Sequence, residues 1–394
     1  MILVAVGMFI AYIITFLLMP FIIRVARINK LYDKPDERKT HTYPVSSLGG
    51  VGIIAGLSIS LLLVTDFRIG DSAFQYYLAS FFIIFMLGVI DDIFVLHPLK
   101  KLAGQLLVAL IITTKAQLLI TNLQGLGGFY ELTPIVSYII TFFAILLIIN
   151  SFNLVDGVDG LAGSLGLVSC FFFGLFFYLK GDMPYAILGF SMAGTLMAFL
   201  VFNFPPARIF MGDSGSMLIG LVNAILVIRL IEGGSFTTNI EVYSPLALGF
   251  SILLIPMLDV LRVFIVRLTK GTSPFAPDRN HIHHLLLNKG FNHTQVTITM
   301  LAISIILTTV GYFINNFNIN IIIGLLTLLF FSGVFVIRYV GSFNHLHVVE
   351  DKDNAIHDAK VLVLYGNEND NTNIKPKKSS PDALNIHSPK TKAE

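Results

Sequence analysis

Cysteine and charge are what this chain of 394 residues has least of. The one cysteine, Cys170, lies inside an apolar run, which excludes a disulfide framework and a cysteine-built zinc site. Only 13% of the residues are charged and the formal net charge is +2. That balance gives no electrostatic support to nucleic-acid binding, so no nucleic-acid partner is expected. Residues 1–23 lack the basic n-region and small-residue cleavage site of a secretory signal and read as a retained first span. No internal repeat is visible, which removes a common mark of transporters built from related halves.

Apolar length is what the chain has in excess, with 55% hydrophobic residues. Runs long enough to cross a bilayer recur through residue 340, at about 2–23, 48–65, 74–90, 102–120, 134–152, 161–179, 184–203, 215–232, 245–266, 296–315 and 319–338. The second, rich in Gly and Ser, is the weakest. The predicted fold class is all-α: a polytopic membrane protein of about eleven transmembrane helices. Basic residues collect on alternate connections, which hold Arg24, Arg27, Lys30, Lys34, Arg38, Lys39, Lys100, Lys101, Arg208, Arg267, Lys270, Arg279 and Lys289. The opposite connections hold Arg68, Lys115 and Lys180. By the positive-inside rule the richer side is cytoplasmic, with the N-terminus outside and the C-terminus inside. Residues 1–340 then form a multi-span membrane domain, and the polar residues 341–394 a mostly disordered cytoplasmic tail, with a short strand conceivable at 360–365.

Five polar clusters fall on the basic side. The central one is Asn150-Ser-Phe-Asn153-Leu-Val-Asp156-Gly-Val-Asp159-Gly-Leu161, which ends the apolar run from Ile135 to Ile149. Four amide or carboxylate side chains at three-residue spacing would stay on adjoining faces of a helix, and oxygen donors at a helix end suit a hard cation and a polar substrate. A capped helix end would explain one Asp-Gly pair, not four polar groups in register. Ahead of it stand Asp33 to His41, which alone reads as a positive-inside anchor, and Asp91-Asp92 with Lys100 and Lys101. Successive helical positions diverge, so one aspartate would face a site and the other support it, with Lys101 either pairing with them or holding a phosphate.

Further on, Pro205-Pro206 force an irregular turn before Gly212-Asp213-Ser214-Gly215-Ser216. This places Asp213 beside a helix N-terminus, whose free amides favour phosphate. A serine-protease reading of that string fails for want of a matching His and Asp. The last cluster is Pro277-Asp-Arg279-Asn-His281-Ile-His283-His284. In a helix His281 and His284 would share a face and His283 would point elsewhere. With no cysteine in the cluster and no well-placed third nitrogen, zinc is a poor reading, and a grip on a phosphorylated polar ligand is better. Asp259 and Arg262, three apart on the preceding span, are expected to pair.

On Asp91-Asp92 with Lys101, Asn150 to Leu161, Phe210 to Ser216 and Pro277 to His284, in that order, the chain resembles the polyprenyl-phosphate N-acetylhexosamine-1-phosphate transferases over about residues 30–290. The His-Ile-His-His loop is similar to the branch that transfers N-acetylglucosamine-1-phosphate to begin teichoic acid, common antigen and related polymers. The phospho-MurNAc-pentapeptide translocases instead carry adjacent histidines, a run that Ile282 interrupts. The resemblance implies a multi-pass enzyme of the bacterial plasma membrane, acting at the cytoplasmic face. It would transfer the phospho-sugar from UDP-GlcNAc to undecaprenyl phosphate with release of UMP.

The implied cofactor is Mg²⁺, with Mn²⁺ as a substitute, held by Asn153 and Asp213. The implied catalytic residues are Asp91, Asp92, Asp156, Asp159 and His281. Asp159, with Asp156, would hold the uracil; Arg279 and His281, with His283 and His284, would grip the diphosphate or sugar. Lys101 and Lys39 would meet phosphates, and Asn150 would line the substrate site. The resemblance leaves one displacement or two open, and a homodimer is carried as an expectation. Outside this family, an ion-coupled transporter and a non-catalytic scaffold are the competing classes; neither explains polar clusters on five loops of one face.

Overall fold

The structure, a computed structural model, describes residues 2–29, 45–65, 73–237, 241–271 and 280–339. The chain divides into a unit of residues 1–342 and one of residues 343–394, and the second lies outside the described residues. So do the expected tail and its strand, and the calls on Lys39 and Arg279.

The first unit is an all-α membrane protein. Its helices are α1 (Ile2–Ile28), α2 (Gly49–Val64), α3 (Ala73–Phe94), α4 (Pro98–Thr114), α5 (Pro134–Val155), α6 (Leu161–Lys180), α7 (Met183–Asn203), α8 (Gly212–Glu232), α9 (Pro245–Thr269), α10 (Ile282–Asn288), α11 (His293–Phe313) and α12 (Ile319–Tyr339). Among the described residues nine are long and apolar enough to cross a membrane. Each of the eleven expected runs falls on a helix, but α2 has 16 residues and α4 has 17, short for a span.

The fourth helix differs from the sequence expectation of 102–120. Pro98 occupies its first turn and the His97 side chain accepts from the Leu99 amide, so the helix starts early and takes in Lys100 and Lys101. It ends at Thr114, leaving 115–120 as connection. Hydropathy alone starts the run after the lysines because it cannot see that the charge of Lys101 is matched in space. Two small antiparallel hairpins, also unexpected, join helices at one end of the bundle: β1 (Asn122–Leu126) with β2 (Phe129–Glu131), and β3 (Phe236–Thr237) with β4 (Glu241–Val242).

The bundle is organised around α8. Between Asp213 and Arg229 it carries no charge and is apolar on every side, the pattern of a helix enclosed by others. It is buried almost throughout, whereas α1 and α12 leave most of their surface exposed. Close approach is possible because the neighbours bring glycines: a β-carbon on Gly88 of α3 or Gly50 of α2 would overlap the start of α8 at Ser214. That contact brings the C-terminal end of α3 and the N-terminal end of α2 against the first turn of α8.

Candidate active site

The first turn of α8 is shaped by Gly212, whose φ of +73° suits a residue without a side chain. A β-carbon there would also meet the Ser47 carbonyl and lie 2.6 Å from the Asp92 carboxylate. Asp92 caps the helix: Oδ1 accepts from the Asp213 amide at 2.7 Å and Oδ2 from the Ser214 amide at 3.2 Å. This corrects one expectation. The amides predicted to favour a phosphate are already satisfied by a carboxylate, which is itself the anion that a helix N-terminus prefers.

The neighbouring aspartate faces the other way, as the divergence of successive helical positions requires. Both residues lie inside α3, not after it. Asp91 Oδ1 accepts from the Leu96 amide at 2.6 Å, and Oδ2 stands 3.0 Å from Lys101 Nζ. The Lys101 ammonium also donates to Asp213 Oδ2 and, at 3.0 Å, to Asn153 Oδ1. Asn153 Nδ2 in turn donates to Asp213 Oδ1 at 2.8 Å and to Ser216 Oγ at 3.0 Å. One cation thus joins the ends of α3, α4, α5 and α8. Of the four polar side chains expected in register on one helix, only Asn150 and Asn153 are on α5, which ends at Val155; Asp156 is its C-cap and Asp159 lies in the turn beyond.

This network lines a cavity of about 400 Å³, whose walls include Asp91, Asp92, Lys101, Asn150, Asn153 and Asp213. Two further residues there were not assigned to a site from the sequence. Gln105, one turn after Lys101, exchanges hydrogen bonds with Asn150, donating at 3.3 Å and accepting at 2.9 Å. Arg267, buried at 4% exposure near the end of α9, brings a second cation to the wall. The signals were present: Gln105 is i+4 from Lys101 inside an apolar helix, and Arg267 is a charge that α9 carries inward.

Asp156, Asp159 and the histidines are not among the cavity's lining residues. Asp156 sits just beyond α5, where burial, followed by the negative charges of Asp213, Asp92 and Asp159, pushes its carboxyl well above the usual range. Asp159 is buried against the connection between α7 and α8 and the start of α11. Its Oδ2 accepts from the Ala207 amide at 3.3 Å, its Oδ1 is 3.6 Å from His293 Nδ1, and its carbonyl accepts from Thr297 Oγ1 at 2.9 Å. His293 is another participant that the sequence reading missed.

The histidine loop also departs from expectation. His281 precedes α10 as its N-cap, so helical spacing does not govern it. Its ring stacks on His283, with centroids 5.6 Å apart and planes 6° apart, and His283 lies 4.3 Å from His284. His283 is buried and faces Gly157, where a β-carbon would come within 3.0 Å of its Nε2. Burial, reinforced by His284, lowers its pKa to about 3, so His283 is neutral in any physiological setting. The expected Asp259–Arg262 pair is present at 2.8 Å, and the same carboxylate holds His281 Nδ1 at 3.0 Å. Contact with Gly157 docks the histidine loop beside Asp156, joining two clusters far apart in sequence.

Among the described residues no three His, Cys, Asp or Glu side chains gather closely enough to hold a metal by themselves. The site offers an excess of carboxylate, two adjacent oxygen-bearing side chains in Asn153 and Asp213, and buried cations that can meet phosphate. Such an arrangement suits phosphoryl transfer, which depends on positioning and charge neutralisation.

Comparison with known proteins agrees. The description "Glycosyl transferase family 4" matches residues 74–231, which run from α3 through α8. The undecaprenyl-phosphate alpha-N-acetylglucosaminyl 1-phosphate transferase of Yersinia pestis is 33% identical over 287 residues, covering 71% of this chain and 76% of that protein. The protein of that name in Escherichia coli K12 is 31% identical over 306 residues, covering 76% of this chain and 81% of its own. The decaprenyl-phosphate N-acetylglucosaminephosphotransferase of Mycobacterium leprae is 34% identical over 286 residues, covering 67% and 72%.

Proposed function

Because this chain belongs to glycosyl transferase family 4, we propose that it transfers N-acetylglucosamine-1-phosphate from UDP-GlcNAc to undecaprenyl phosphate, releasing UMP at the cytoplasmic face of a bacterial plasma membrane. The lipid-linked diphosphate sugar would begin a surface polymer such as teichoic acid. The observation that carries this reading is the junction of Lys101 with Asp91, Asp213 and Asn153 on the wall of one cavity.

The reaction asks little of a protein nucleophile. A lipid phosphate monoester has a second pKa near ~6 and is largely ionised at neutral pH. Its oxygen attacks the β-phosphorus of the donor; the new P–O bond forms as the bond to UMP breaks, and UMP carries away the electron pair. Asp91 has both oxygens engaged, by the Leu96 amide and by Lys101, which suits steering an incoming phosphate better than attacking one. That favours a single displacement. Lys101 and Arg267 supply positive charge to the phosphates, Asn150 and Gln105 fix the wall, and Asp92 holds the first turn of α8 in place.

Asn153 and Asp213 would hold Mg²⁺, and the residues fit it. They are adjacent oxygen donors, with Asn153 Nδ2 2.8 Å from Asp213 Oδ1, and the carboxylates of Asp91 and Asp92 share the same wall. Two protein ligands suffice for an ion that keeps phosphates and waters in its shell. When bound, it neutralises charge on the transferring diphosphate. Asp159 and Asp156 are assigned to the uracil end, and His281 to the diphosphate or sugar.

The test is UMP release by purified protein with undecaprenyl phosphate, offering UDP-GlcNAc, UDP-GalNAc and UDP-MurNAc-pentapeptide in turn, with and without Mg²⁺. Mg²⁺-dependent release from UDP-GlcNAc alone is expected. Release only from the pentapeptide donor would overturn the donor assignment, and no lipid-dependent release from any donor would overturn the reaction.

A further inference from the structure

Asp259, on α9, is 1% exposed and every group around it donates. Its Oδ1 receives the Arg262 guanidinium at 2.8 Å, and the Ile282 amide points at both oxygens, at 3.1 and 3.2 Å. Arg262 also donates to the Asn280 carbonyl, so residues 280–282 are clamped onto α9. The remaining partner is His281, with Nδ1 3.0 Å from Asp259 Oδ2. The other ring nitrogen of His281, Nε2, is buried and has no hydrogen-bond partner among the described residues.

A carboxylate can only accept. The neutral imidazole facing it must therefore carry its proton on Nδ1, which leaves Nε2 as a bare acceptor. A buried acceptor without a donor is costly in the empty protein, and a ligand that brings one recovers that cost.

We infer that Asp259 is a positioning residue that fixes the Nδ1–H tautomer of His281, so that Nε2 accepts a hydrogen bond from a donor group on the sugar, a hydroxyl or the acetamido N–H, and does not touch the diphosphate. This rests on the reading of the site as one for a UDP-N-acetylhexosamine, and it narrows the role of His281 within it. Phosphate oxygens of a bound nucleotide are acceptors and offer Nε2 nothing. The assignment makes His281 a selector of the sugar.

The experiment is ¹⁵N NMR of histidine-labelled full-length protein in lipid nanodiscs, with His281 identified by the loss of its signals in His281→Gln. The wild type is expected to show an unprotonated Nε2; a protonated Nε2 in the empty protein overturns the inference without any variant. In Asp259→Asn the side-chain oxygen is claimed by Arg262 and the Ile282 amide, so the amide NH₂ turns to His281 Nδ1 and moves the ring proton to Nε2. That variant should lose roughly 10- to 100-fold in kcat/KM for the sugar donor while its affinity for UDP alone stays within about twofold. Asp259→Glu, which still only accepts, should keep the wild-type tautomer and recover part of the rate. A parallel loss of UDP affinity in Asp259→Asn would place Nε2 at the diphosphate and overturn the sugar assignment. A tautomer shift with unchanged transfer would remove His281 from the site while leaving the transferase reading intact.

Discussion

At its first turn α8 meets Asp91, Asp92, Lys101 and Asn153; at its last, about 30 Å away by helical rise, Arg229 meets Asp182 and the following Gly233 meets Lys180. The far network is balanced. Arg229 lies 3.1 Å from Asp182 and 3.9 Å from Glu232, with its guanidinium 4.9 Å from the centre of the Tyr185 ring, and Lys180 donates to the Gly233 carbonyl at 2.7 Å. Two cations stand with two carboxylates: Arg229 takes both, and Lys180 takes the Gly233 carbonyl. The near network is not balanced. Asp91, Asp92 and Asp213 line a cavity with Lys101 and Arg267, and the carboxyl of Asp156 is raised by burial and then by the charges of Asp213, Asp92 and Asp159. Balanced charge closes a helix end, whereas a deficit of positive charge beside a cavity is tolerable only where a cationic partner completes it.

The largest expected effect breaks this comparison at its centre. Lys101→Ala or Asp213→Ala should lower UMP release by roughly 10²- to 10³-fold with the protein still folded, as loss of a charge-stabilising group does. Arg229→Ala should cost roughly 1 kcal/mol of stability and leave turnover unchanged. Equal losses of turnover at the two ends would end the distinction.

Glycines at the two ends give the next largest contrast. Gly212 and Gly234 both have positive φ, +73° and +64°, but a β-carbon meets Ser47 and Asp92 at the first and nothing within 4 Å at the second. Gly212→Ala should dislodge the cap on α8 and lose turnover at least about tenfold, whereas Gly234→Ala should show only the backbone strain of roughly 1 kcal/mol. Turnover and thermal unfolding measured side by side separate the two.

Smaller effects sharpen the charge argument through pH. His283 has a folded pKa of about 3 against an ordinary 6.5. Between those values the unfolded chain binds a proton that the fold refuses, so stability falls as pH drops below 6.5, by about 1.4 kcal/mol per unit. His283→Gln should flatten the fall in unfolding temperature between pH 7 and pH 5; parallel curves for the two proteins would overturn the assignment. Asp156 runs the other way. Its folded pKa is raised above the ordinary 3.8, so the stability it contributes at low pH is lost as pH rises through the raised value. Asp156→Asn should therefore unfold at a higher temperature than the wild type at neutral pH, with Mg²⁺ narrowing the gap. Identical midpoints without Mg²⁺ would mean that the charge deficit is not there.

Much of this was legible in one dimension. Bilayer-length apolar runs need only a count of residues, and each falls on a helix, because a chain in lipid must satisfy its backbone within each segment. The polar clusters were readable for the same reason: Asp, Asn and Lys at the ends of apolar runs are costly unless they meet partners. Asn153, Asp213, Lys101 and Asp91 do meet. Spacing within a cluster was a poorer guide, because α5 stops at Val155 and His281 precedes α10, so helical periodicity did not apply where it was expected to.

What sequence alone determined, then, is the membrane-helical class, the family signature and the residue types of the site. Which residue meets which was decided by tertiary structure. Lys101 reaches a partner 112 positions away in Asp213, and the amides that a phosphate was expected to use belong to Asp92, 121 positions before Asp213. Hydropathy and helical period are properties of neighbours along the chain. The match of a cation to two carboxylates, or of a histidine to a buried aspartate, depends on distances of a few ångströms that exist only once glycine-lined helices have packed around α8.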